Sequence, residues 1–365
     1  MNASSSRQGE HQGKQSSDRR HQYYKSIWYE GEPPAVWMYA AEKIFATISR
    51  WRRRLYRMGW LRAYTAPVPV IVVGNITAGG TGKTPFVIWL VEYLKQLGFR
   101  PGVVSRGYGG KRTVEPMLVT PNTNPNASGD EALLIARRTE VPVMVGKKRA
   151  QAAARLVANH PVNVIVSDDG LQHYALRRDV EIALLDSRLQ LGNGHLLPLG
   201  PLREPKARLD EVDLVVYKGE HPSGRCFQAA LMDAWNLAHP AQTRPLASFI
   251  GQPVNAMAGI AQPEHFFRLL AEAGVAAYKR PLPDHHLFRP QDFAIDNDYP
   301  ILITEKDAVK CRDMEGKWKK RVWVVPMTLL VPEQIQETIS ACLKAAFKHR
   351  LKPLPATCTG NNRHD

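Results

Sequence analysis

From Pro34 to Met58 the apolar residues Trp37, Ala41, Ile44, Ile48, Trp51, Leu55 and Met58 recur at spacings of three and four, which predicts one helix with these side chains on one face. Lys43, Arg50, Arg53, Arg54 and Arg57 fall on the opposite face. A tryptophan-bearing apolar face backed by arginines fits a helix lying in a membrane interface beside anionic head groups. A helix docked on the protein's own core, with a solvated basic side, would give the same pattern. After Pro69 the period changes. "PVIVVGN", "RPGVVS", "VPVMVG", "VNVIVSDD", "VEIALLD" and "VDLVVYK" are short apolar runs of buried-strand type, and 84–97 and 147–159 are helical stretches between them. This alternation predicts a mostly parallel α/β sheet. "VNAMAGIA", a helix from Pro263 to about Ala273, "YPILITEKD" and "RVWVVPM" form a second, shorter series and predict a smaller α/β unit. The expected division is a disordered tail over 1–25, the amphipathic interfacial helix region over 26–62, a first α/β domain over 63–225, a second over 226–348 and a loose tail over 349–365.

Composition narrows the setting. The 365 residues are 44% hydrophobic and 23% charged, enough for two domains with cores of their own. The chain has no uncharged apolar run of membrane-spanning length, and its polar first 25 residues contain no apolar signal core, so a cytoplasmic address is expected. Cys226, Cys311, Cys342 and Cys358 form no Cys-x-x-Cys pair, which argues against a zinc cage and against a disulfide framework. A net charge of +15 calls for an acidic partner: nucleic acid, anionic lipid or a phosphorylated substrate. Much of that charge lies on the amphipathic helix and the tails rather than in an aromatic-lined groove, so no nucleic-acid partner is expected.

Between a buried strand and the next helix stands "VVGNITAGGTGKTPF". A phosphate-binding loop of the Gly-x4-Gly-Lys-Ser/Thr kind requires glycine five positions before Gly82, and that position is Thr77. The mechanical case survives the mismatch. Gly79, Gly80 and Gly82, with Thr77 and Thr81 among them, allow backbone N–H groups to converge on phosphate oxygens at a helix N-terminus. Lys83 would reach the terminal phosphates, and the Thr84 hydroxyl would stand on Mg²⁺. Asp168 and Asp169, at the end of "VNVIVSDD", are the candidate metal-holding carboxylates. Asp130 and Glu131 in "SGDEALL" either cap a helix or offer a general base, and Asp284, His285 and His286 in "LPDHHLF" could tune it. Arg203 and Glu204 sit in the rigid turn "GPLREP", where they form either a guanidinium site for phosphate or a surface ion pair. Glu305, Lys306 and Asp307 in "ILITEKDAVK" read as a helix start, and alternatively as a base-reading element.

Taken in order, "VPVIVVGNITAGGTGKTP", "SRGYGG", "GDEALL", "SDDGLQHYALRRD", "LLPLGPLREP", "GIAQPEHFF", "DHHLF" and "TEKDAVK" resemble the tetraacyldisaccharide 4'-kinases of Gram-negative bacteria. The resemblance runs from about residue 26 into the 340s, and the displaced first glycine is part of that family's own loop. It implies a P-loop NTPase-like domain followed by a smaller α/β domain, with ATP between them. It further implies transfer of the γ-phosphate to the 4'-hydroxyl of an acylated glucosamine disaccharide 1-phosphate, giving lipid IVA at the cytoplasmic face of the inner membrane. On the matching positions it makes Lys83 and Thr84 the phosphate and metal residues and Asp168 and Asp169 the Mg²⁺ carboxylates. Asp130 becomes the base, supported by His285 or His286, and Arg203 and Glu204 an active-site pair. A peripheral monomer at an anionic membrane surface is expected. The alternative is a membrane-docked P-loop ATPase or GTPase switch, which needs no site for an acceptor hydroxyl.

Overall fold

The computed structural model describes residues 22–79, 81–112, 114–260, 262–284, 286–311 and 314–350. Gly80, His285 and most of both expected tails lie outside them. Helix α1 spans Val36–Arg57. The first sheet then begins with β1 (Val70–Gly74), which leads through the glycine-rich loop into α2 (Lys83–Gln96). Next come β2 (Pro101–Ser105), β3 (Met117–Val119), α3 (Asp130–Thr139), β4 (Val143–Val145), α4 (Arg149–Asn159), β5 (Val164–Asp168), β6 (Val180–Asp186), β7 (Leu214–Lys218) and β8 (Cys226–Leu231). β1, β2 and β5 are buried at every position, as strands covered by helices on both faces must be.

The second sheet is built from β9 (Ala234–Asn236), β10 (Thr243–Arg244), β11 (Val254–Ala258), α5 (Pro263–Glu272), β12 (Ala277–Pro281), β13 (Ile301–Thr304), α6 (Glu305–Cys311) and β14 (Val322–Val325). The chain then returns to the first sheet through β15 (Met327–Leu330) and α7 (Glu333–Arg350). Strand order is β15-β8-β7-β6-β1-β5-β2-β4-β3 in the larger sheet and β10-β9-β14-β13-β11-β12 in the smaller. Among the described residues the antiparallel pairings are β15–β8, β3–β4, β9–β14 and β9–β10, all toward the ends of the sheets. β1 lies between β5 and β6, and the chain leaves it to reach β2 beyond β5. The carboxyl end of β1 is therefore beside a topological switch point, where open α/β sheets bind ligands.

The return of the chain differs from the expected grouping of 226–348. β8 pairs with β7 and β15, and Ile335, Ile339, Leu343 and Ala346 of α7 complete the core against α2 and α3. Sequence order hides this, because an apolar helix stripe does not name the sheet it covers. Arg350 forks onto Asp179, with Nε–Oδ1 at 2.9 Å and Nη2–Oδ2 at 2.7 Å, and donates to the Ala66 carbonyl at 2.6 Å. The ordered chain thus extends into the segment expected to be loose from 349. At the other end residues 22–25, assigned to the tail, are helical, and Tyr24 packs on Trp28 beside the small core of Ile27, Met38 and Leu199.

Helix α1 has three faces rather than two. Met38 is fully buried, Glu42 accepts from the Leu196 N–H at 2.8 Å, and Arg53 pairs with Glu211 and lies over the Tyr174 ring. These docked positions, four and eleven residues apart, share one side of the helix, but they are not the apolar stripe. Trp37, Ile44, Ile48 and Trp51 face outward at 55%, 62%, 62% and 59% exposure. Arg53 and Arg57, both expected on the basic face beside anionic head groups, are partners of Glu211. No helix among the described residues is long and apolar enough to cross a membrane.

Candidate active site

The geometry of the loop explains why threonine can stand in the usual glycine slot. Thr77 forms an antiparallel bridge with Leu202, Ala78 donates to the Pro201 carbonyl at 2.7 Å, and Arg203 donates to the Ile76 carbonyl at 2.6 Å. This arm of the loop is extended backbone sewn to the "GPLREP" turn, and any residue can adopt it. Among the described residues of the loop, left-handed backbone occurs at Gly79 (φ 130°) and Gly82 (φ 79°), and Gly82 caps α2. Gly74 has a packing reason of its own: a Cβ there would lie 2.8 Å from Leu171 Cγ. Thr81 is buried, and its Oγ1 has no hydrogen-bond partner among the described residues. A buried hydroxyl without a partner at the start of a helix fits a loop built to receive phosphate oxygens.

Lys83 and Thr84 open α2, and the Lys83 ammonium lies 3.7 Å from Asp169 Oδ1. Asp168 stands beside Val73 in register and accepts from Ser105 Oγ at 3.0 Å. Burial, reinforced by the nearby Glu131 and Asp169 carboxylates, pushes the Asp168 carboxyl up to about 7. Asp169, at φ 48°, is also raised by burial, but Lys83, Arg203 and Arg149 outweigh that and hold it below the ordinary carboxylate range. Two adjacent carboxylates, one of them on the edge of protonation, are a pair whose repulsion a divalent cation would relieve. No three His, Cys, Asp or Glu side chains converge into a metal cage among the described residues. That suits Mg²⁺, which takes one or two carboxylates and fills its shell with phosphate and water.

Arg203 and Glu204 point apart. Arg203 Nη1 reaches both Asp169 oxygens, at 3.1 and 3.2 Å, at the mouth of the loop. Glu204 turns inward, accepting from Gln172 Nε2 at 2.9 Å and from the Tyr174 hydroxyl. Gln172 also donates to the Asn75 carbonyl at 3.0 Å, so Glu204 braces the loop from beneath.

Asp130 is the first residue of α3, follows Gly129 and is 6% exposed. Its Oδ2 lies 3.9 Å from both Lys306 and Lys310 of α6, so the second sheet supplies cations to a carboxylate of the first. Lys306 also stands 3.7 Å from Asp284, which brings that residue into the same cluster. His286 turns elsewhere, with Nε2 on Asp292 Oδ2 at 2.9 Å. In "TEKDAVK", Thr304 Oγ1 accepts from the Asp307 N–H at 3.2 Å and donates to Asp307 Oδ2 at 2.7 Å, the helix-start arrangement expected of it.

A family model described as tetraacyldisaccharide-1-P 4'-kinase matches residues 34–344. The chain belongs to this family. It is 42% identical over 325 residues to the tetraacyldisaccharide 4'-kinase of Nitrosococcus oceani, covering 89% of this chain and 95% of that one. To the tetraacyldisaccharide 4'-kinase of a Coxiella burnetii strain it is 45% identical over 293 residues, covering 80% and 86%. The crystal structure of the "apo" form LpxK from Aquifex aeolicus in complex with ATP aligns with a TM-score of 0.69 at 27% identity, over 83% of this chain and 98% of that chain. The family is one of ATP-dependent kinases.

For a kinase of this family, sequence reasoning located the loop and the acidic strand end but passed over Gln172, Tyr174 and Arg149. Lys306 reads in the sequence as part of a helix start, and Lys310 has no local motif that marks it. Arg149 is mostly buried, and the Asp168 and Asp169 carboxylates act on its guanidinium. The only signal in "EKDAVK" was two lysines four apart, which share one side of a helix. Nothing local says that this side faces Asp130.

Proposed function

We propose that the chain transfers the γ-phosphoryl group of ATP to the 4'-hydroxyl of tetraacyldisaccharide 1-phosphate, forming lipid IVA in lipid A biosynthesis. The observation that carries this reading, in a member of this family, is a continuous charged cluster: Lys83 of the phosphate loop lies by Asp169, the Glu131 carboxylate acts on Asp168, and buried Asp130 beside Glu131 is bordered by lysines of the second sheet. In the transfer the bond between the γ-phosphorus and its bridging oxygen breaks, the acceptor oxygen bonds to phosphorus, and ADP leaves. Asp130 orients the acceptor hydroxyl and receives its proton. Backbone N–H groups of Gly79 and Thr81–Thr84 and the Lys83 ammonium would face the phosphates, and Arg203 adds positive charge at the same mouth. Thr84, Asp168 and Asp169 would hold Mg²⁺, which neutralises phosphate charge when bound. Glu204 acts through the loop it braces.

The acceptor is lipid, and the outward stripe of α1 supports a peripheral position on the cytoplasmic face of the inner membrane, with the chain working as a monomer. Residues 63–231 and 327–350 would then act as the nucleotide lobe, and 234–325 as a smaller lobe closing over it.

Purified chain, γ-labelled ATP and the acylated disaccharide 1-phosphate test this directly. Label should move to the lipid, Lys83→Met should abolish transfer, and Asp130→Asn should lower kcat by a factor on the order of 10² or more. Hydrolysis of ATP without labelled lipid would replace the kinase with the nucleotide-switch reading.

A further inference from the structure

We infer that Lys306 is a positioning residue for Asp130, an ammonium delivered from the second sheet that pairs with and orients the carboxylate at the acceptor side of the site. The inference rests on Asp130 being the base proposed above. Among the described residues, Lys306 and Lys310 on α6 approach Asp130, Glu131 on its own helix and Asp284 on the loop after β12 share Lys306 with it, and Asp307 lies behind Lys310. The two lysines are not equivalent. Lys310 is tied more closely to its own sheet, donating to the Gly259 carbonyl at 3.0 Å and to Asp307 Oδ1 at 3.1 Å. Lys306 makes its nearest approach to the first sheet's Glu131, with Oε1 at 3.4 Å, and it also has Asp130 of that helix at 3.9 Å and Asp284 of its own unit at 3.7 Å. Burial acts against its charge, but the three carboxylates prevail and keep the ammonium protonated.

A second ion pair joins the same two helices. Arg138 of α3 meets Glu305 of α6 at 2.6 Å, away from Asp130 along α3. Contact between the helices therefore does not depend on Lys306 alone. What Lys306 adds is positive charge beside the carboxylate that receives the acceptor proton. An opposite charge at this range lowers a carboxyl's pKa, so removing it lets Asp130 be protonated, and silenced, at higher pH.

The experiment measures kcat/KM for the lipid acceptor against pH, over the range in which the chain stays folded. It uses the full chain with ATP and Mg²⁺ as wild type, Lys306→Met, Lys306→Arg, Arg138→Met and Asp130→Asn. Lys306→Met is expected to lower activity at neutral pH and to move the acid limb of the profile up by about one to three units. Lys306→Arg should return the limb most of the way, and Arg138→Met should leave it in place. Loss of activity in Lys306→Met with an unmoved acid limb would make the lysine merely structural and overturn the inference; so would wild-type activity. Asp130→Asn separates the two levels. Wild-type turnover in that variant removes the base reading itself, whereas an inactive Asp130→Asn beside an unmoved limb in Lys306→Met removes only the role of the lysine.

Discussion

Replacing Trp37 and Trp51 together by serine tests the outward stripe of α1. The two rings are 55% and 59% exposed, and neither belongs to the docked face that carries Met38, Glu42 and Arg53. A tryptophan side chain buries about 200 Å² when fully covered, so each ring offers roughly 110–120 Å² to a membrane. At about 25 cal/mol per Å² that is about 3 kcal/mol per ring, an upper bound for the pair of about 6 kcal/mol. Insertion at head-group depth covers only part of a ring. Retaining half of the bound leaves about 3 kcal/mol, a factor on the order of 10² in partitioning. Sedimentation with vesicles of mixed neutral and anionic phospholipid, at fixed salt, measures this. The double variant should lose that factor while its thermal midpoint without vesicles stays unchanged. Unchanged partitioning would refute the interfacial role of α1, and a large fall in the midpoint would mean that the stripe packs on protein after all. Among the arginines, Arg50 and Arg54 are expected to contribute about 1 kcal/mol each to vesicle binding, and Arg53, engaged with Glu211 and Tyr174, less.

Three further outcomes follow from the packing. Folding raises the Asp168 carboxyl from 3.8 to about 7, so its contribution to stability is complete below 3.8 and is lost as pH rises through about 7. Denaturant midpoints of the Mg²⁺-free chain should therefore fall across that window, and Asp168→Asn should flatten the fall; parallel slopes for the two proteins would remove the reasoning. Gly74→Ala must displace Leu171 and should cost about 1–3 kcal/mol in denaturant unfolding, whereas an unchanged midpoint would show that the loop base is loosely packed. Arg350→Gln removes the fork onto Asp179 and should cost about 1–3 kcal/mol; an equal midpoint would mean that the end of α7 is not held by that pair.

The local elements were legible because their causes are local. Buried Val- and Ile-rich runs made β1, β2, β5 and β6, the helices expected over 84–97 and 147–159 are observed at 83–96 and 149–159, and glycines 79 and 82 stand where the backbone needs a left-handed turn. The candidate loop and the two aspartates at the end of β5 could be paired from sequence because strand ends of one parallel sheet share an edge. Several features belonged to the tertiary structure alone: the return of β15 and α7 to the first sheet, the inward turn of Glu204 beside an outward Arg203, and the approach of Lys306 to Asp130 across more than a hundred residues. Periodicity also identified the apolar stripe of α1 but could not say whether protein covers it. A helical repeat records which side chains share a face. What that face meets depends on distant chain segments, whose docking is decided by the packing energy of the whole fold.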